Sequence, residues 1–367
     1  MSNSKHTNFT RYRDTLFAEI IKVPEVLQQK YLPSLDGLRA ISILIVIFSH
    51  IINVRLNYKN TIIDGGLGVQ VFFVISGFLI TSLLIKEKVK NKYISLPKFY
   101  IRRALRIFPV AYLFILVVFM LDKIFKLAIP DSDYYSAIFY FKNFVSHTWY
   151  LNHYWSLSIE EQFYLIFPFL LSSVKLKNYI IICFLLLLLG PVINLLAFHD
   201  YFYQKYFLIL SNLFSYNSIV FGSLTAVLLF KFQFSFLKSK WCNNLLFCFL
   251  IVMSNLVHPL FAGEWIRLAL ISALIVKNIS YGKDMFYRFL NLGFIKYIGL
   301  LSYSLYIWQQ LFTSNMPWEN AFPYGGSIIL NFVLLFIIAY LSYNYFEKPF
   351  LNLKKRFSEN RVLKTAS

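Results

Sequence analysis

The sequence predicts an all-α, polytopic integral membrane protein, a helix bundle with about ten transmembrane helices. Three observations lead there. Of 367 residues, 58% are hydrophobic and only 14% are charged, where a soluble domain carries roughly 25% charged residues. The apolar residues fall in blocks of about twenty, the length a helix needs to cross ~30 Å of hydrocarbon. Basic residues collect in alternate gaps between those blocks, as the positive-inside rule asks. Lipid offers no partner to backbone N–H and C=O groups, so blocks of this kind read as helices. The alternating ~10-residue segments of an outer-membrane barrel do not occur in the sequence.

In chain order the spans fall at residues 38–55, 67–85, 107–122, 157–174, 178–197, 206–230, 243–260, 265–280, 295–313 and 327–346. The aromatic stretch 134–150 is interrupted by Lys142, Asn143 and His147, and reads as interfacial or re-entrant rather than as another crossing. With the N-terminus inside, the inner loops hold Lys86, Lys88, Lys90, Lys92, Lys98, Arg102, Arg103 and Arg106, and later Lys175, Lys177, Lys231, Lys238, Lys240, Lys283 and Arg288. The outer loops keep scattered bases such as Lys59, Lys123, Lys126 and Lys205. That asymmetry fits an even number of spans with both termini cytoplasmic. Residues 1–30 and 358–367 read as cytoplasmic tails around one membrane domain, 31–357. The N-terminal segment does not resemble a cleavable signal peptide.

The net charge of +19 is assigned to topology and to contact with anionic lipid, not to nucleic acid. Cys183, Cys242 and Cys248 match no zinc-ligand spacing and read as packing residues. No metal site is expected.

Polar residues inside spans are costly and tend to face a cavity or another polar group. In LDGLRAISILIVIFSH, Arg39 and His50 are eleven residues apart. Eleven steps of 100° bring both side chains to one helix face, separated by ~16 Å along the axis. Alone, Arg39 also reads as a snorkelling interfacial arginine, and His50 as an interfacial histidine; a neutral imidazole in a cavity can take a proton from a hydroxyl. GGLGVQVFFVISGFLIT carries glycines suited to close helix packing. Its Ser76 lacks the G-x-S-x-G setting of a serine nucleophile. In FYIRRALRIFP, Arg103 and Arg106 share a face and present two guanidinium forks, a phosphate clamp as well as a topology signal. In HYWSLSIEEQFYLIFP, Glu160 shares a face with Ser156 and Tyr164; a carboxylate there can orient an imidazole or hold a sugar hydroxyl, or simply suit a helix start. Ser302, Tyr303, Ser304, Tyr306, Gln309 and Gln310 make a hydrogen-bonding span, and Glu347, Lys348 and Pro349 mark a helix end.

Taken together, these blocks resemble acyltransferase family 3 of membrane proteins. The resemblance rests on YLPSLDGLRAISILIVIFSH, GGLGVQVFFVISGFLIT, RRALRIFP, WSLSIEEQFY, SYSLYIWQQ and FEKPFLNLKKRF, in that order from Tyr31 to Phe357. It implies a stand-alone member without a fused hydrolase-like domain, in a bacterial inner membrane. It further implies transfer of an acyl group, most often acetyl, from cytoplasmic acetyl-CoA to a hydroxyl of an extracytoplasmic glycan such as a surface polysaccharide or O-antigen. The partners are then acyl-CoA, a carbohydrate acceptor and the lipid bilayer, with no bound cofactor. By the same resemblance Arg39 and His50 form an essential pair, Arg103 and Arg106 are the paired arginines of the third span, and Glu160 is the glutamate of the WSLSIEE motif. His50 and Glu160 are the expected catalytic residues, and Arg39, Arg103, Arg106 and Ser156 the expected substrate-binding ones. Gln309 follows Trp308 where some members carry histidine. A transporter or flippase using Arg39, His50 and Glu160 as a polar path is the rival reading, and the absence of an internal sequence repeat speaks against it.

Overall fold

The computed structural model describes residues 2–29, 31–58, 64–145, 148–196, 200–256 and 261–357. Lys59, His147, the last residue of the 178–197 span, the last four residues of the 243–260 span and the tail 358–367 lie outside the described residues. In chain order the helices are α1 (Ser2–Phe17), α2 (Glu25–Gln28), α3 (Pro33–Ser49), α4 (Gly65–Asn91), α5 (Leu96–Phe125), α6 (Asp131–Ile138), α7 (Tyr154–Ser173), α8 (Leu176–Leu196), α9 (Asp200–Lys231), α10 (Cys242–Leu256), α11 (Phe261–Ser280), α12 (Met285–Leu290), α13 (Gly293–Thr313), α14 (Ile328–Leu341) and α15 (Lys348–Lys355). π-Helical turns extend α3 over His50–Arg55 and join α14 to α15 over Ser342–Glu347. Among the described residues there is no strand. The protein is an all-α membrane protein.

Each expected span falls on one of these helices. Pro33–Arg55, Gly65–Asn91, Leu96–Phe125 and Ile328–Lys355 run 23, 27, 30 and 28 residues and are apolar enough to cross a bilayer on their own account. Among its described residues, the stretch 134–150 holds the end of α6 and a 3-10 turn at Lys142–Phe144 as its helical segments. The eight residues of α6 rise only ~12 Å, well short of the hydrocarbon thickness.

The described chain gathers into two compact units. The first comprises Met1–Ser49, Asn60–Ile94 and Ile159–Leu300. Its centre is the pairing of α4 with α9, which the glycines permit. A Cβ on Gly77 would lie 1.9 Å from the carbonyl oxygen of Ile219, and one on Gly222 would lie 2.1 Å from that of Val74. Each helix thus offers a bare spot to the other's backbone, the small-residue packing that replaces hydrophobic drive in lipid. Hydroxyls secure the contact, with Thr81 donating to Ser223 at 2.8 Å and Tyr179 meeting Ser223 at 2.7 Å. At one end of α11 the amides of Asn243 and Asn278 bond each other, and Asn243 donates to Asp284 at 2.9 Å.

The second unit comprises His50–Lys59, Ser95–Ser158 and Leu301–Ser367. α15 and the π turn before it pack on α5. The phenols of Tyr154 and Tyr303 donate to α5 carbonyls at Ala111 (2.6 Å) and Ile107 (2.8 Å). Lys142 is wholly buried and paired with Asp133, which also accepts from the Thr148 backbone at 3.0 Å. Burial pushes the Lys142 ammonium below its usual range, and Asp133 opposes that shift.

Candidate active site

α3 keeps α geometry through Ser49, and His50 opens the π turn. Single π turns inside helices recur at functional sites. The imidazole is half-buried, and its Nδ1 lies 2.7 Å from Oε1 of Gln309. The direction of that bond follows from the groups behind it. The Trp149 carbonyl can only accept, so Gln310 meets it with Nε2 at 2.7 Å. Gln310 Oε1 is then left to accept from Gln309 Nε2 at 2.9 Å, and Gln309 Oε1 is left to accept in its turn. His50 Nδ1 must therefore carry the hydrogen, which leaves the lone pair of the neutral ring on Nε2. The indole of Trp149 closes the loop by donating to the Gln310 carbonyl at 2.8 Å. Its ring stands edge-on to the imidazole, with centroids 5.4 Å apart. Gln309 and Gln310 are 0% and 1% exposed, so water does not compete for these bonds.

The same unit holds Ser156, Arg103 and Arg106. Ser156 is buried, and its hydroxyl donates to the His153 carbonyl at 3.0 Å and meets the Tyr306 hydroxyl at 2.5 Å. His153 sits within an aromatic box made with Phe114, Tyr154 and Tyr306. Arg103 stacks over Phe99 at 5.7 Å. Arg106 is half-buried and within electrostatic reach of Glu347. Ser304 bonds Glu347, and Ser342 adds a bond at 3.2 Å. Neighbouring Arg102 bonds the Phe357 carbonyl at 3.2 Å. Past His50, Arg55 closes on Glu319 at 2.5 Å and on the Gly326 carbonyl at 3.2 Å.

Glu160 and Arg39 belong to the first unit. Ser76 donates its hydroxyl to Glu160 Oε1 at 2.6 Å, so α4 holds this carboxylate in place. The serine that the sequence denies a nucleophile's setting is thus the glutamate's partner. Arg39 pairs with Asp36 at 3.0 Å, and Asp36 also accepts from Tyr31 at 2.7 Å. Burial, joined by the Asp36 carboxylate, pushes the Tyr31 phenol up to about 12, so it stays a donor at every physiological pH.

The sequence points to Glu160 as one group able to orient His50; the structure gives the bond at Nδ1 to Gln309. The signal for Gln309 and Gln310 is present, as two adjacent amides in an apolar span. Trp149 and Asp36 leave no such mark. Trp149 belongs to a loop, and Asp36 has the ordinary place of an acidic residue in a helix's first turn.

The sequence profile of the acyltransferase domain family matches residues 32–345. The chain is 30% identical over 371 residues to the O-acetyltransferase OatA of Staphylococcus aureus strain NCTC 8325 / PS 47, a match covering 89% of this chain and 58% of that protein. OatA of S. aureus strain COL matches over the same lengths with the same identity. The chain therefore spans 58% of the length of these relatives. No solved structure matches it. With the profile covering most of the chain and the motifs falling on the helices just described, the chain belongs to the acyltransferase 3 family of membrane proteins.

Proposed function

We propose that the protein is an O-acetyltransferase of a bacterial cytoplasmic membrane, moving an acetyl group from cytoplasmic acetyl-CoA to a hydroxyl of an extracytoplasmic glycan. The observation that carries this reading is the fixed tautomer of His50, whose Nε2 presents a lone pair from within a membrane helix. Nε2 takes the proton of the acceptor hydroxyl as its oxygen attacks the thioester carbonyl. The tetrahedral intermediate collapses, the C–S bond breaks, and the imidazolium returns the proton to the departing thiolate. The products are an O-acetyl ester and CoA.

Arg103 and Arg106, three apart on α5, hold the CoA phosphates; Arg39 of the first unit is a further substrate-binding residue in this reading. Two guanidinium forks suit phosphate oxygens better than point charges would. Glu160, held by Ser76, takes hydroxyls of the acceptor sugar, and Ser156 supports substrate through Tyr306. In this reading the chain crosses ten times with both termini in the cytoplasm, Arg103 and Arg106 on the donor side and His50 toward the acceptor side.

His50→Ala is expected to lower transfer by roughly 10²–10⁴-fold, the usual contribution of a positioned base, while the protein still inserts. Alkali-labile O-acetyl groups on the cell-surface glycan, counted with and without the substitution, provide the check. Full acetylation by the alanine variant rules the mechanism out. Arg103→Ala should weaken binding of acetyl-CoA to purified protein without loss of insertion.

A further inference from the structure

Within the first unit, α3, α4, α10 and α11 line a partly open cavity of about 220 Å³. Leu38, Ile45, Leu67, Leu250 and Leu274 give its character. The hydroxyl hydrogen of Ser42 is spent on the Leu38 carbonyl at 2.8 Å, and Asp64 is the charged residue of the lining. Apolar cavities of this size stay dry and accept apolar guests.

Asp64 caps the N-terminus of α4, accepting from the Gly66 backbone at 2.8 Å. It also reaches Arg267 of α11 at 3.6 Å. Arg267 pairs with Glu264, and Gln70 donates to Glu264. Two carboxylates and one guanidinium leave this group one net negative charge. The side chain of Arg267 is only 9% exposed, yet its Nε has no hydrogen-bond partner, and neither has the buried Oε1 of Gln70. One unmet donor and one unmet acceptor ask for a group that both accepts and donates. A hydroxyl does both; a phosphate cannot satisfy Gln70 and would be repelled by the net charge.

We infer that this cavity and the polar group at its edge bind a sugar-headed lipid, its hydrocarbon chain between α3, α4, α10 and α11 and its sugar hydroxyls on Asp64, Gln70, Glu264 and Arg267. Resting on the proposed function, this identifies the acceptor as a lipid-linked glycan. Under the topology proposed above, Asp64 and Arg267 lie at the outer membrane surface, where such a molecule arrives from the bilayer plane.

The test uses full-length protein in phosphatidylcholine nanodiscs and two probes with a diazirine at the chain end: an alkyl glucoside and a phosphatidylglycerol of equal chain length. The expected result is labelling of segments 247–251 and 271–274 by the glucoside, suppressed by excess unlabelled alkyl glucoside. Leu274→Trp, which fills the cavity, should cut labelling roughly tenfold, the scale of overpacking a site. Gln70→Leu leaves the cavity open and should abolish the preference for glucoside over phosphatidylglycerol, so the idea stays testable if the tryptophan variant does not fold. Labelling by phosphatidylglycerol as strong as by glucoside, or labelling that glucoside does not compete away, means annular lipid only and overturns the inference. The readout involves no turnover, so it can fail while His50-dependent transfer stands, and the reverse.

Discussion

The behaviour of His50 depends on a carbonyl it does not touch. Trp149 can only accept, and that restriction passes through Gln310 and Gln309 to the imidazole. Gln309→Leu removes the acceptor from Nδ1 and frees the ring to rotate or change tautomer. Transfer should fall roughly 10–100-fold, part of a base's full contribution, with kcat reduced more than the KM for acetyl-CoA. An unchanged kcat would show that the amide pair only packs. Sequence reading reached His50 because a histidine within an apolar block is conspicuous. It could not supply the direction of the bonds, since His50 and Gln309 meet only in the folded chain.

At the level of elements, two contacts are exacting. α4 and α9 meet where Gly77 and Gly222 leave no room for a Cβ. Gly222→Leu should destabilise the protein by about 1–3 kcal/mol or more through overpacking, seen as a lower thermal midpoint of detergent-solubilised protein. The other contact is the buried pair of Lys142 and Asp133. Asp133→Ala removes the carboxylate paired with an ammonium that is 0% exposed, a change that costs about 3–5 kcal/mol. Lys142→Met in the same chain should recover part of that loss in the same melt. The helices themselves were legible in the hydropathy, because twenty apolar residues have few other solutions in lipid. The pairing of α4 with α9 was not. Glycines in both helices show that something comes close, but distant stretches of chain carry no label naming their partner. Nor did the isolated Lys142 announce a buried ion pair; it read as an interruption of an aromatic run.

For the whole molecule, the distribution of lysine and arginine makes a directional forecast. In a variant lacking Cys183, Cys242 and Cys248, Asn320→Cys should react with a membrane-impermeant maleimide added to intact cells, and Lys92→Cys should react only after permeabilisation. Reversed labelling would turn the donor and acceptor faces around and remove the proposed vectorial transfer. That the chain is a bundle of apolar membrane helices was readable because hydropathy is a one-dimensional property. The capped cavity of the first unit was invisible in the sequence. Asp64, Gln70, Glu264 and Arg267 come from two remote segments, and each taken singly resembles any residue at a helix end.

One consequence of the glutamine pair concerns bioenergetics. With Nδ1 hydrogen-bonded to an amide oxygen too weakly basic to take its proton, the imidazolium of the proposed reaction has a single exit, the nitrogen through which it was charged. In the proposed reaction the proton taken from the sugar hydroxyl is returned to sulfur, and none is drawn from either aqueous compartment during the bond exchange. Acyl transfer in sealed vesicles should therefore run at the same speed whether an electrochemical gradient is imposed or collapsed by an ionophore.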